Sequence, residues 1–239
     1  MKALLWDMDG SLINTEPLWE IATYDVSEFL GRRLTPQLRA QCVGNTLRNT
    51  LTIAATHAER TLDDELFTTA SEFLEGRFSE LVRKRGVEWR PGVPEILAEA
   101  AAANVPVVLV TNTRRHVAQP CIDAMGPEKF TATVCSDEVA HGKPEPDPYL
   151  RGAMLAGWEP GQCLAIEDSA TGVRAALAAG CRTLWNPMPD VAPTNDEIAR
   201  LSPPALFVSG NFDTANLDFL RAAFASDSAT WNNRPSEEL

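Results

Sequence analysis

The stretch Lys2-Ala3-Leu4-Leu5-Trp6-Asp7-Met8-Asp9-Gly10-Ser11 decides how this chain is read. A short apolar run that empties into acids and a glycine is the pattern of a buried strand ending in a loop. It delivers Asp7 to the C-terminal end of the first strand. Asp9, two residues on, lies on the same side of the chain, with its Cα about 7 Å away. One carboxylate of such a pair can attack while the other handles a proton. A solvated acidic turn uses the same residue types, so Asp7-Met8-Asp9-Gly10-Ser11 alone leaves both readings open.

Working outward, the pattern from about Pro17 to Arg85 is helical. Thr35-Pro36 reads as an N-cap followed by proline at the first helical position, and longer periodic stretches run over Leu47 to Arg60 and Asp63 to Arg85. Leu66, Phe67, Phe73, Leu74, Phe78, Leu81 and Val82 supply the apolar face of the last of these. After Arg90-Pro91-Gly92 strands and helices alternate. Strands are expected at 106–110, 131–135, 162–166, 182–185 and 206–209, and helices at 93–103, 115–125, 147–156 and 170–179, the last closed by Gly180. Pro120 inside its helix predicts a kink or a late start.

The alternation gives a parallel α/β sheet of Rossmann-like type, interrupted after its first strand by an α-helical insert. The expected domains are a core of 1–14 and 88–225, a helical cap of 15–87 and a flexible tail of 226–239, with linkers near Asn14 and at 87–92. A ligand crevice is expected at the carboxyl ends of the strands.

Composition narrows the function classes. The chain has 239 residues, 44% of them apolar, and a formal net charge of -12. That charge disfavours nucleic acid and anionic membrane surfaces, and a phosphate site in such a field needs a local cation or oriented amides. No apolar run approaches the roughly 20 residues that cross a bilayer, and the N-terminus lacks a secretory pattern, so a cytoplasmic protein is expected. The five scattered cysteines, with no CxxC pair, read as buried reduced thiols. His57, His116 and His141 have no zinc-like spacing, and Gly172 and Gly180 form no nucleotide fingerprint.

Further motifs converge on the same sheet edge. Glu167-Asp168 follows the apolar run Cys163-Leu164-Ala165-Ile166 and brings a second acid pair from another strand, a hard-oxygen set suited to Mg²⁺. Asp168 could instead be a mere helix cap. Val110-Thr111-Asn112 presents a hydroxyl and a backbone N–H before a helix, which could hold a phosphoryl oxygen or simply cap. Gly142-Lys143-Pro144 fixes a lysine on a turn, where it could neutralise phosphate or only meet solvent.

In chain order, DMDGS, VTN, GKPEPDPY and IEDS resemble the four signature motifs of the haloacid dehalogenase superfamily. The insert, entered through Asn14-Thr15-Glu16-Pro17-Leu18-Trp19, is similar to the helical cap of the subgroup containing β-phosphoglucomutase and many small-metabolite phosphatases. The resemblance implies a Mg²⁺-dependent phosphatase in which Asp7 forms an aspartyl-phosphate and Asp9 serves as acid and then base. It implies that Asp7, the Asp9 carbonyl and Asp168 hold the metal with Glu167 supporting, and that Thr111, Asn112 and Lys143 bind the transferring phosphoryl group. Glu16, Trp19, Gly44, Asn45 and Arg48 become candidates for substrate contact, and the cap is expected to close over the core. The expected partner is a small sugar or polyol phosphate, and the expected state a monomer or weak homo-oligomer.

Three relatives' chemistries are disfavoured by particular residues. Leu47 stands where a phosphomutase of the subgroup has an arginine for the second phosphate. A phosphonate-cleaving enzyme needs a Schiff-base lysine in the cap, and no lysine occurs between Lys2 and Lys84. A metal-free dehalogenase would have no use for Asp9 and the second acid pair. A non-catalytic metabolite-binding protein of the same fold is the reading from a different class.

Overall fold

In the computed structural model of this chain the described residues are 1–43, 46–188, 201, 206–207, 212 and 215–226. Strand β1 (Ala3–Trp6) is buried along its whole length. The two-residue β2 (Ile13–Asn14) follows, and then helices α1 (Glu16–Phe29), α2 (Pro36–Ala40), α3 (Leu47–His57) and α4 (Asp64–Arg85). After β3 (Glu88–Trp89) come α5 (Val93–Ala102), β4 (Val107–Val110), α6 (Arg115–Met125), β5 (Ala132–Val134) and α7 (Asp147–Ala156). The order ends β6 (Cys163–Glu167), α8 (Ala170–Ala178), β7 (Arg182–Trp185), β8 (Leu206–Phe207) and a last helix, α9 (Leu217–Ala225).

The chain divides into two compact units: Met1–Asn14 with Glu88–Ala118 and Met125–Leu239, and Thr15–Val87 with Gln119–Ala124. In the first, a six-stranded sheet runs β5-β4-β1-β6-β7-β8 with every pairing parallel. Leaving β1, the chain builds outward through β4 and β5 on one side and then through β6, β7 and β8 on the other. That reversal makes the carboxyl end of β1 a topological switch point, the place where such sheets open a crevice.

Burial on both faces explains the nearly continuous apolar runs in these strands. On one face Leu5, Val108, Val110 and Ala165 pack against Tyr149 and Ala153 of α7 and Ala175 and Ala176 of α8. Alanines in α8 let the helix lie close to the sheet. On the other face Trp6 meets Phe212 edge to face at 5.9 Å, and α5 contacts α9. Glu99 of α5 ties this layer together by accepting the Leu217 N–H at 2.7 Å.

In the second unit, α1 packs on α3 and α4. Thr35, Thr46 and Asp63 cap α2, α3 and α4 through bonds to the N–H groups of Leu38, Asn49 and Leu66. Asp64 and Glu65 in the first turn of α4 and Arg83, Lys84 and Arg85 in its last complement the helix dipole. Leu74, Phe78, Leu81 and Val82 are buried, while Leu66, Phe67 and Phe73 are only half-buried.

At the expected linkers, β2 and β3 pair antiparallel through Ile13 with Trp89 and Asn14 with Glu88. Pro120 does not delay its helix: α6 starts at Arg115 and contains it. The tail from 227 onward lies outside the described residues.

Because Leu5 is fully buried in the central strand, Leu5→Ala should cost about 2–5 kcal/mol. Urea denaturation followed by circular dichroism would measure it, and a cost below about 1 kcal/mol would contradict this packing.

Candidate active site

The loop that follows β1 is shaped by backbone bonding. The Asp7 N–H donates to the Ile166 carbonyl, and the Met8 carbonyl accepts from Leu12 and Ile13 at 3.0 and 3.1 Å, which folds 8–13 into a tight turn. Gly10 is required there on two grounds: its φ is +81°, and a Cβ on it would stand 2.2 Å from Asp168 Oδ2. Arg90, also buried, donates to the Gly10 carbonyl at 2.6 Å and touches Met188 Sδ.

Asp7 is nearly buried, and its Oδ1 accepts from Lys143 Nζ at 2.5 Å. The same ammonium donates to Glu167 Oε1 at 2.6 Å and to the Val110 carbonyl at 2.9 Å. An ammonium has three protons, so all are committed within the protein. Asn112 holds the lysine's backbone: its Oδ1 accepts the Lys143 N–H at 2.9 Å, and its Nδ2 faces the Lys143 carbonyl at 3.4 Å. Gly142 makes room, since a Cβ there would sit 2.4 Å from Asn112 Oδ1.

Asp9 has different company. Its Oδ2 accepts from Thr113 Oγ1 at 2.9 Å and faces Thr111 Oγ1 at 3.4 Å. Thr111 Oγ1 in turn accepts the Thr113 N–H at 3.1 Å. The two aspartates of the loop thus sit in distinct environments, one against a cation and one against hydroxyls, which suits them to different roles.

Glu167, fully buried at the end of β6, also accepts from the Tyr149 hydroxyl at 2.6 Å and from Ser169 Oγ at 3.2 Å. Trp185 fixes the neighbouring backbone by donating its indole N–H to the Asp168 carbonyl at 2.9 Å. Carboxylate oxygens of Asp7, Glu167 and Asp168 all lie within 4.8 Å of one another. Three buried or half-buried carboxylates against one lysine leave surplus negative charge, and a set of hard oxygen donors fits a small divalent cation.

The electrostatics agree. Burial first, then the neighbouring Glu167 and Asp168, push the Asp7 carboxyl well above the usual range, against the pull of Lys143. Burial and then Glu167 push Asp168 up to about 7. Burial alone would lower the Lys143 pKa, but Asp7 and Glu167 outweigh it, so the ammonium stays charged.

The structure therefore brings Asp7, Asp9, Thr111, Asn112, Lys143, Glu167 and Asp168 to one edge of the sheet. The candidates in the helical unit are engaged within it: Glu16 pairs with the buried Arg39 at 2.5 Å, Trp19 stacks on Phe78 at 3.9 Å, and Arg48 lies over Phe67 at 4.0 Å. Gly44 and Asn45 fall outside the described residues. The sequence alone assigns no part in the site to Arg90, Thr113, Tyr149, Ser169, Gly172 or Trp185. Gly172 did carry a signal, since a glycine within a helix costs about 1 kcal/mol relative to alanine and points to a close approach.

A parallel α/β sheet thus gathers two loop aspartates, a buried lysine and an acid cluster that could hold a metal ion, in a chain whose sheet is interrupted by an inserted helical unit. Residues 1–180 match the family model described as haloacid dehalogenase-like hydrolase, and the chain belongs to that family. It is similar to hexitol phosphatase A of Escherichia coli K12, at 30% identity over 82% of this chain and 88% of that protein. It is similar to the phosphorylated carbohydrates phosphatase of Thermotoga maritima, at 32% identity over 77% and 84%. Among solved structures, CbbY from Rhodobacter sphaeroides in complex with phosphate superposes with a TM-score of 0.77, at 25% identity over 92% of this chain and 99% of that one.

A carboxyl whose folded pKa exceeds its unfolded value contributes stability below the unfolded pKa and loses it as pH rises through the folded one. For Asp168 that window runs from 3.8 to about 7. In chelator, the unfolding midpoint of the wild type minus that of Asp168→Asn should therefore fall as pH rises through this window. A divalent cation, which favours the ionised form, should reverse the fall. A flat or rising difference in chelator would contradict the assignment.

Proposed function

We propose that this chain is a Mg²⁺-dependent phosphatase that hydrolyses a small sugar or polyol phosphate through a phosphoryl group carried on Asp7. The observation that carries the reading is the split between the two loop aspartates. Asp7 is set against Lys143 and inside the acid cluster, whereas Asp9 is set against Thr111 and Thr113 outside it.

In the first step an Asp7 carboxylate oxygen attacks phosphorus, and the bond from phosphorus to the substrate oxygen breaks. Asp9, in its acid form, gives its proton to the departing alkoxide. In the second, the Asp9 carboxylate takes a proton from water as that water attacks phosphorus, which releases inorganic phosphate and restores Asp7. Lys143 opposes the negative charge of the phosphoryl oxygens by exchanging one of its internal acceptors for them. Thr111 and the Asn112 N–H add donors.

Asp7, the Asp9 carbonyl and Asp168 would hold Mg²⁺, with Glu167 beside them. Bound there, the ion supplies positive charge that offsets the crowded carboxylates and the phosphoryl group. The substrate class rests on the similarity to hexitol and carbohydrate phosphatases, and Glu16, Trp19, Gly44, Asn45 and Arg48 of the insert are proposed to select among such compounds. The net charge of -12 disfavours polyanionic partners. Among the described residues no helix is long and apolar enough to cross a membrane. A cytoplasmic monomer or weak homo-oligomer is the proposed state.

Phosphate release from a panel of sugar, polyol and nucleotide monophosphates should require Mg²⁺ and favour one compound class. Asp7→Asn should reduce it by at least ~10⁴-fold, as loss of a covalent nucleophile does. Wild-type release by Asp7→Asn would sink the nucleophile, and isomerisation of β-glucose 1-phosphate without net release would make the protein a mutase.

A further inference from the structure

Tyr149 has no part in the chemistry above, yet its hydroxyl is placed on the group that orients the lysine. The side chain is fully buried. Its O–H donates at 2.6 Å to Glu167 Oε1, the same oxygen that accepts from Lys143 Nζ at 2.6 Å. Nζ also lies over the tyrosine ring, 5.2 Å from its centre. The second carboxylate oxygen, Oε2, is met by Ser169 Oγ at 3.2 Å and by the Ser169 N–H at 3.4 Å. Behind the carboxylate, Gly172 leaves a notch: a Cβ there would come within 1.8 Å of Oε1.

A phenylalanine would fill the same space without burying a hydroxyl, so the O–H matters only if the place of Glu167 matters. Two claims compete for this carboxylate. One is Lys143; the other is the cation site, since oxygens of Asp7, Glu167 and Asp168 all lie within 4.8 Å of each other. Lys143 is a tripod standing on Asp7, Glu167 and the Val110 carbonyl. If the Glu167 leg swings away, the ammonium tips towards Asp7 and pairs with the nucleophile more closely.

We propose that Tyr149 is a positioning residue that assigns Glu167 to Lys143 rather than to the metal. It supplies a neutral donor that stays on Oε1, and with Ser169 and the Gly172 notch it fixes the carboxylate. This keeps the lysine poised for the phosphoryl group. The inference rests on the reading of Lys143 as the cation that meets that group.

Tyr149→Phe keeps the ring and removes only the hydroxyl. It should lower kcat about tenfold, the usual scale for an outer partner of a reacting group, with KM changed much less. Calorimetric titration of the protein with Mg²⁺ alone should show tighter binding, because the freed carboxylate turns to the cation. Turnover and Mg²⁺ affinity both within twofold of wild type would overturn the proposal and leave Tyr149 a packing residue. If circular dichroism shows that Tyr149→Phe does not fold, Gly172→Ala crowds the same carboxylate with the tyrosine intact. It should lower kcat likewise, and wild-type turnover from it would equally overturn the proposal. Lys143→Ala run alongside separates the two levels. Wild-type turnover by Lys143→Ala removes the reading of the lysine itself, whereas an inert Lys143→Ala beside an unaffected Tyr149→Phe removes only the role of Tyr149.

Discussion

The arrangement depends on one imbalance of charge: Asp7, Glu167 and Asp168 crowd together at the edge of a buried sheet with Lys143 as the cation among them. Carboxylates out of water repel one another and resist ionising, which is why Asp168 is carried to about 7. Such a cluster either keeps protons or is ionised beside a cation, and a bound divalent ion would favour the ionised form. The surrounding bonds make sense as means of keeping these groups in register until then. Lys143 spans two of the carboxylates, Asn112 holds the lysine's backbone, and Trp185 holds the backbone of Asp168.

Close approach is the second constraint, and glycines meet it. Gly10 lets the loop after β1 pass Asp168, Gly142 lets the lysine turn pass Asn112, and Gly172 lets α8 pass Glu167. Each brings backbone against a side chain of the candidate site, so the missing Cβ is part of the site's geometry. The same economy places alanines where α8 lies on the sheet.

Much of this was legible in the sequence because β1, β4 and β6 each combine an apolar run with polar residues at its carboxyl end. Burial on both faces produces the run, and the parallel topology brings those ends together, so strand pattern and chemistry coincide. The β2–β3 ladder was not legible: two residues on each side give no period to read, and their pairing depends on the fold around them. Tyr149 lay inside a quoted motif without a role, because a helix residue six positions after the lysine shows its partner, Glu167, only once α7 packs on the sheet. Arg90 was hidden for a similar reason, since a charged residue before Pro-Gly reads as a solvated turn until it is seen buried against Gly10.

The central claim is that Asp7 carries the phosphoryl group during turnover. Rapid acid quench of the protein with a sugar phosphate it hydrolyses, followed by mass spectrometry of the N-terminal peptide, tests it most directly. The account predicts a phosphoryl adduct on Asp7 that forms and decays with turnover. Turnover with no protein-bound phosphoryl group, or with the adduct on another residue, would contradict it.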